Sequence, residues 1–279
     1  MSITTSVVSR ARPLLGTLVT LQVREAHDRS AIPAATEQAW NIIAHIGSVM
    51  SAHRPLSDLG RMSRAKSGEV LTLDVHTVTV LRAAQYWARR SGGAFNPARA
   101  GQVLARQGER PGLRADACGL SCLEDLQFLS GHHVKMPTAL SLDLGGIAKG
   151  YAADQAAQCL MQAGVSSALV NAGGDIRVLG QQAWSVDIRH ARHVVRDRVL
   201  ARNARMTDGA MATSATQGHD SDFVQTTVRR CPPWRSATVK APDCMTADAL
   251  TKWALQSSLL CPALKSALRE HHASMWRTE

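Results

Sequence analysis

With 279 residues, 45% of them hydrophobic, the chain is long enough to bury a large core in one domain or in two intimate ones. It contains no continuous apolar run long enough for a transmembrane helix, and its six cysteines include no CxxC pair, which argues against zinc-knuckle and dithiol redox motifs. The net charge of +10 gathers in residues 188–205, IRHARHVVRDRVLARNAR, where no aromatic residue interleaves with the arginines; stacking on bases is unsupported and no nucleic-acid partner is expected.

At the N-terminus Arg10 and Arg12 interrupt any apolar signal region, so a cytoplasmic location is expected, with export left open if the true start lies upstream. Gly16 to Val23 alternates as a strand. Pro33 to Val49 reads as an amphipathic helix with Ala35, Ala39, Ile42, Ile46 and Val49 along one side. Ser51 to Ser63 is a polar loop and Glu69 to Leu73 a short strand. Val75 to Arg90 has Val78, Leu81, Ala84 and Ala88 at helical spacing, and Ser91-Gly92-Gly93 stops it. Residues 101–125 are arginine-rich and read as a surface segment; Leu126 to Met136 reads as two short strands around Gly131.

The stretch from Ser141 to Gly180 organises the rest. A short apolar run over 141–144 carries Asp143 and reads as a strand broken by Gly145 and Gly146. A helix follows from Ile147, small or apolar at Ala148, Ala152, Ala156, Cys159, Leu160 and Ala163, and Gly164 is placed to end it. Ala168 to Ala172 is a second strand, and Gly173-Gly174-Asp175 a second glycine turn. Glycines allow close approach of backbone to a ligand, and a helix N-terminus points free N–H groups at negative charge. Asp143 and Lys149 would flank one such pocket. An ordinary strand–helix connection explains the same spacing equally well, and the loop is neither GxGxxG nor GxxxxGK[ST].

Further strands are expected over Trp184–Ile188, Val194–Leu200, Gly209–Thr213 and Ser236–Lys240. A helix is expected from Thr246 to Gln256 and another over Leu259–His271. Asp248 and Thr251, three apart, would share a helix face and could share one hard cation. The alternative is that Thr246 caps this helix while Asp248 favours its positive end. This order of strands and helices fits α+β or α/β.

The segment DLGGIAKGYAAD followed by ALVNAGGDIRVLG closely resembles the signature of the ApbE flavin transferase family, the FAD:protein FMN transferases. Ordered matches also occur at Leu15-Gly16-Thr17, Met50 to Leu59, Ser91 to Pro97, Thr213-Ser214 and Ala247 to Lys252. The resemblance implies one α+β domain over residues 1–279, with mixed sheets, flanking helices and a ligand site between two lobes. It implies Mg²⁺-dependent transfer of FMN from FAD to a Ser or Thr hydroxyl of an acceptor protein, with release of AMP. The alternatives are a FAD pyrophosphatase giving FMN and AMP, and a FAD-binding protein without catalysis. It assigns FAD contacts to Leu15, His53, Ala94, Phe95, Asn96, Asp143 and Lys149; many relatives carry methionine at the place of Leu15 and tyrosine at that of His53. It assigns the cation to the carbonyl of Gly146 and to Asp248 and Thr251.

Two departures from the family pattern stand out. The common family sequence ADALAT has threonine four after the aspartate; here Lys252 holds that place and Thr251 comes one earlier. Either Lys252 supplies positive charge in place of the metal, or Thr251 ligates and Lys252 reaches the pyrophosphate. The family's histidine–x–x–aspartate strand matches either His219 to Asp222 or, keeping the apolar pair, Asp222 to Gln225. The second alignment is preferred, and the catalytic base stays unassigned.

Overall fold

The computed structural model describes residues 7–24, 32–116, 123–180, 182–189, 199–215, 236–258 and 261–278. In chain order the elements are β1 (Val7–Leu14), β2 (Thr17–Arg24), α1 (Ile32–Val49), α2 (Asp58–Met62), β3 (Val70–Thr72), α3 (Val75–Arg90) and α4 (Pro97–Arg106). Then come β4 (Gln127–Phe128), β5 (His133–Lys135), α5 (Ala148–Gln162), β6 (Ser167–Ala172), β7 (Asp175–Gly180), β8 (Trp184–Arg189) and β9 (Val199–Met206). The chain closes with β10 (Gly209–Ala215), β11 (Ser236–Ala241), α6 (Cys244–Gln256), α7 (Pro262–Glu270) and β12 (Ser274–Thr278).

Seven strands form one sheet in the order β1-β2-β6-β7-β10-β11-β12, and each neighbouring pair is antiparallel. That decides α+β over α/β, since a doubly wound fold needs parallel strands. On β6 the side chains alternate: Ala168, Val170 and Ala172 join the main core, whereas Leu169 points to the opposite face. On the core face α5 and α6 lie against β6, β7, β10 and β11, with α1 packed on α5. On the other face a smaller cluster joins Leu169, Val178 and Met211 of the sheet to Trp184, Val186 and Met206 of the β8–β9 pair.

Helices α5 and α6 meet through their first turns, and polar groups hold the crossing. Asp154 of α5 accepts from the backbone N–H of Cys244 at 2.8 Å and of Met245 at 2.8 Å, at the start of α6. Asp248 of α6 in turn accepts from Gly150 N at 3.3 Å, near the start of α5. Each helix thus places a carboxylate on the other's unpaired N-terminal amides. A bridge of ring groups ties α1, α3 and α5 together: His45 Nε2 bonds Asp74 Oδ2 at 2.7 Å, and His76 Nδ1 bonds Tyr151 Oη at 2.8 Å. Among the described residues no helix is long and apolar enough to cross a membrane.

The structure departs from the sequence reading in several places. Residues 141–144 form no strand. Their polar groups bond the start of α4 and the loop beyond it, with Asp143 N donating to Pro97 O at 3.0 Å and Ser141 Oγ to Arg114 O at 2.8 Å. Gly101 makes this possible, because a Cβ there would lie 2.6 Å from the backbone of Leu142. Residues 101–106 therefore belong to a helix that buries Gly101, Leu104 and Ala105, not to a surface segment. Asp243, not Thr246, caps α6, accepting from Thr246 N at 2.8 Å. The Val194–Leu200 expectation falls mostly outside the described residues, and β9 starts at Val199. The edge strands β1 and β12 went unpredicted because neither buries an alternating apolar face.

Candidate functional site

Leu15 and Gly16 join β1 to β2 with φ of 56° and 72°, the two left-handed positions of a tight hairpin turn. A leucine in that conformation costs about 1 kcal/mol or more. Its side chain reaches α1 at Gly47, where an added Cβ would lie 2.8 Å from Leu15 Cδ2. This turn, the loop carrying His53 and Arg54, Arg110, and the Asp143–Lys149 segment surround a cavity of about 420 Å³. The cavity brings together four residues expected at one site, Leu15, His53, Asp143 and Lys149.

Hydrogen bonds shape the glycine turn. Asp143 Oδ1 accepts from Gly145 N at 2.7 Å, and its Oδ2 accepts from Arg110 Nε at 2.7 Å. Lys149 Nζ donates to Gly145 O at 2.6 Å and stands 3.1 Å from Oδ2 of the buried Asp175. Acid and amine do line one pocket, but each already holds a partner of opposite charge. Arg54 and Arg110 add two further cations to the wall, so a dianionic ligand would meet net positive charge.

Other expected residues lie elsewhere. Phe95 is in the core, and Asn96 caps α4, accepting from Ala98 N and Arg99 N at 3.1 Å each. Neither they nor Ala94 line this cavity. The turn at Gly173 and Gly174 opens on a different cavity of about 650 Å³, shared with Asn171, Asp187 and Thr213. Asp175, which follows this turn, lies 3.1 Å from Lys149 Nζ of the first cavity. His219 and Asp222 lie outside the described residues, as do Cys118 and Cys122. Cys244 is buried, and burial raises its thiol well above the usual range, so it is no nucleophile at neutral pH.

Asp248 sits in a closed ring of side chains. Its Oδ1 accepts from Lys252 Nζ at 3.0 Å, while Oδ2 takes the Gly150 amide. Thr251 Oγ1 donates to Asp248 O at 2.7 Å and bonds Ser214 Oγ at 2.7 Å; Lys252 Nζ also bonds Ser214 Oγ. Asp248 and Thr251 are 0% exposed and Lys252 is 1% exposed.

One buried acid beside this ring gives a test of pH dependence. Burial pushes the Asp154 carboxyl up to about 7, against the pull of the Cys244 and Met245 amides and of Arg177. The native state then binds more protons than the unfolded chain between about pH 4 and 7. This group therefore lowers stability progressively as pH rises through that window, and the penalty is constant above it. From an ordinary value of 3.8 to about 7, the whole penalty is at most roughly 4 kcal/mol. Asp154→Asn, which still accepts an amide bond, is expected to flatten the dependence of urea-unfolding stability on pH across that window. An unchanged slope would show that Asp154 is ionised throughout.

The ApbE family profile matches residues 15–259, nearly all of the chain. The chain belongs to the ApbE family. A FAD:protein FMN transferase of Treponema pallidum (strain Nichols) is 31% identical over 186 residues, 62% of this chain and 51% of that protein. One from Vibrio cholerae serotype O1 is 27% identical over 231 residues, 75% of this chain and 69% of that protein. The chain thus spans about half the length of the Treponema relative. The solved apo flavinyl transferase ApbE of Pseudomonas stutzeri superposes with a TM-score of 0.79 at 18% identity, covering 99% of this chain and 92% of that one. At that identity the likeness establishes the ApbE fold.

The ApbE resemblance assigns a divalent ion to Gly146, Asp248 and Thr251, and the donor set can be tested for it. Magnesium requires near-octahedral oxygen ligands and gives up water reluctantly. Here both carboxylate oxygens of Asp248 are engaged, the Thr251 hydroxyl is turned to the Asp248 carbonyl and Ser214, and an ammonium already lies among them. A unit charge pair at about 4 Å is worth about 4 kcal/mol at an effective dielectric of 20, and a divalent ion doubles the repulsion from Lys252. As arranged, these residues do not fit Mg²⁺.

The sequence does not mark the contacts of three participants, Arg110, Asp175 and Ser214, although Ser214 belongs to a matched segment. Arg110 lies in a stretch without periodicity, and nothing local marks it as the partner of Asp143. Asp175 reads from the sequence only as part of a turn. Ser214 joins Thr251 and Lys252 across 37 and 38 residues, a contact that only the β10–α6 packing creates.

Proposed function

We propose that this chain, as one domain, binds FAD in the cavity at the glycine turn and passes its FMN half to a Ser or Thr hydroxyl of an acceptor protein. The acceptor oxygen forms a bond to the FMN phosphorus, the pyrophosphate P–O bond to AMP breaks, and the hydroxyl proton leaves to a base. Membership in the ApbE family supports the activity. The observation that carries the reading is the convergence of Leu15, His53, Asp143 and Lys149 on one cavity with Arg54 and Arg110. Leu15 and His53 offer an apolar and a planar surface to a flavin ring. Lys149, Arg54 and Arg110 offset the diphosphate charge, and Asp143 fixes the turn through Gly145. No step is assigned to a metal at Asp248.

The test is to mix purified protein with FAD and a candidate acceptor and to follow flavin fluorescence on a denaturing gel. A fluorescent acceptor band with AMP release supports transfer. FMN and AMP without a labelled band indicate hydrolysis by water, and intact FAD that stays with the protein through gel filtration indicates binding alone.

A further inference from the structure

We infer that the Lys252 ammonium is the resident cation beside this site, and that the chain takes up FAD without a divalent ion at Asp248. The inference rests on the flavin reading above only for what is bound. The arrangement around Lys252 stands on its own.

Lys252 lies one turn after Asp248 on α6, which sets the two side chains together by helical spacing. A lysine stem ordinarily carries its charge out to water. This one is directed inward to 1% exposure, with Nζ on the Asp248 carboxylate and the Ser214 hydroxyl and 3.5 Å from Thr251 Oγ1. An ammonium has three donors, and three oxygens of different residues surround this one. Those are the hard oxygen atoms that a divalent ion would also seek. The other carboxylate oxygen caps α5 through Gly150. A tethered monovalent cation thus holds the acid that supports the glycine turn's helix, at no cost in ion uptake. The positive charge facing the diphosphate then comes from Lys149, Arg54 and Arg110, which line the cavity as Lys252 does not.

The experiment uses chelator-stripped full-length protein in two titrations. With Mg²⁺ alone, calorimetry is expected to register no saturable uptake by wild type. One-to-one uptake that Asp248→Asn abolishes would overturn the inference. With FAD, affinities in excess EDTA and in millimolar Mg²⁺ are expected to agree within about twofold, and a tenfold or greater gain with Mg²⁺ would overturn it. If FAD is taken up in neither buffer, the flavin reading fails, while the Mg²⁺ titration still decides on Lys252. Lys252→Thr, which removes the ammonium and supplies an oxygen, is expected to acquire a Mg²⁺-dependent rise in melting temperature. A folded Lys252→Thr protein with no such rise would also overturn the inference; if this variant does not fold, the wild-type titration is decisive by itself.

Discussion

Replacing Lys149 with methionine is expected to weaken FAD uptake at least about tenfold and to cost roughly 3 kcal/mol of stability. Methionine keeps much of the lysine stem's apolar bulk, so the change isolates the charge. Two roles are removed together. The ammonium faces the cavity where the diphosphate would sit, and it is also the cation 3.1 Å from Asp175, which is 2% exposed. The roles separate in a second variant. Adding Asp175→Asn to Lys149→Met removes the buried charge that faced the ammonium, so urea-unfolding stability should largely return while FAD affinity stays low. Unchanged FAD affinity in Lys149→Met would remove this lysine from the site.

Gly150→Ala is expected to destabilise the protein by about 3 kcal/mol or more, or to prevent folding. An alanine here would be favoured by helix propensity alone, by up to about 1 kcal/mol. Tertiary packing reverses that sign. The added Cβ would lie 2.3 Å from Cys244 O and 2.7 Å from Cys244 C, which are backbone atoms at the start of α6 and cannot rotate away. Relief requires the two helices to part, which loosens the Gly150–Asp248 and Asp154–Cys244 bonds as well. A variant within about 0.5 kcal/mol of wild type in urea unfolding would contradict this description of the crossing.

Much of the fold was legible because its main helices announce themselves. The periodic apolar positions of α1, α3 and α5 and the glycines after α3 and α5 set those elements within a residue or two. What escaped has a physical cause in each case. Residues 141–144 are as apolar as a strand, yet Gly101 draws them onto α4 and their hydrogen bonds go there. Strand β1 carries Arg10, Arg12 and Pro13 at a sheet edge, where no buried face imposes alternation. Of the candidate site, the turn and its Asp143 and Lys149 could be read, because glycine spacing is local. Their partners Arg110 and Asp175 are set by tertiary contacts, 33 residues away in one case and beyond the rest of α5 and the whole of β6 in the other. The i,i+4 spacing of Asp248 and Lys252 was visible, but its burial was not, and burial turns a surface pair into an internal one.

The flavin assignment stands most directly on whether the wild-type chain takes up FAD. Titrating FAD into full-length, chelator-stripped protein by calorimetry should give saturable one-to-one uptake, with Lys149→Met displaced to weaker binding. No heat and no flavin fluorescence change, from protein shown by circular dichroism to be folded, would mean that the cavity at Gly145 holds something other than a flavin dinucleotide.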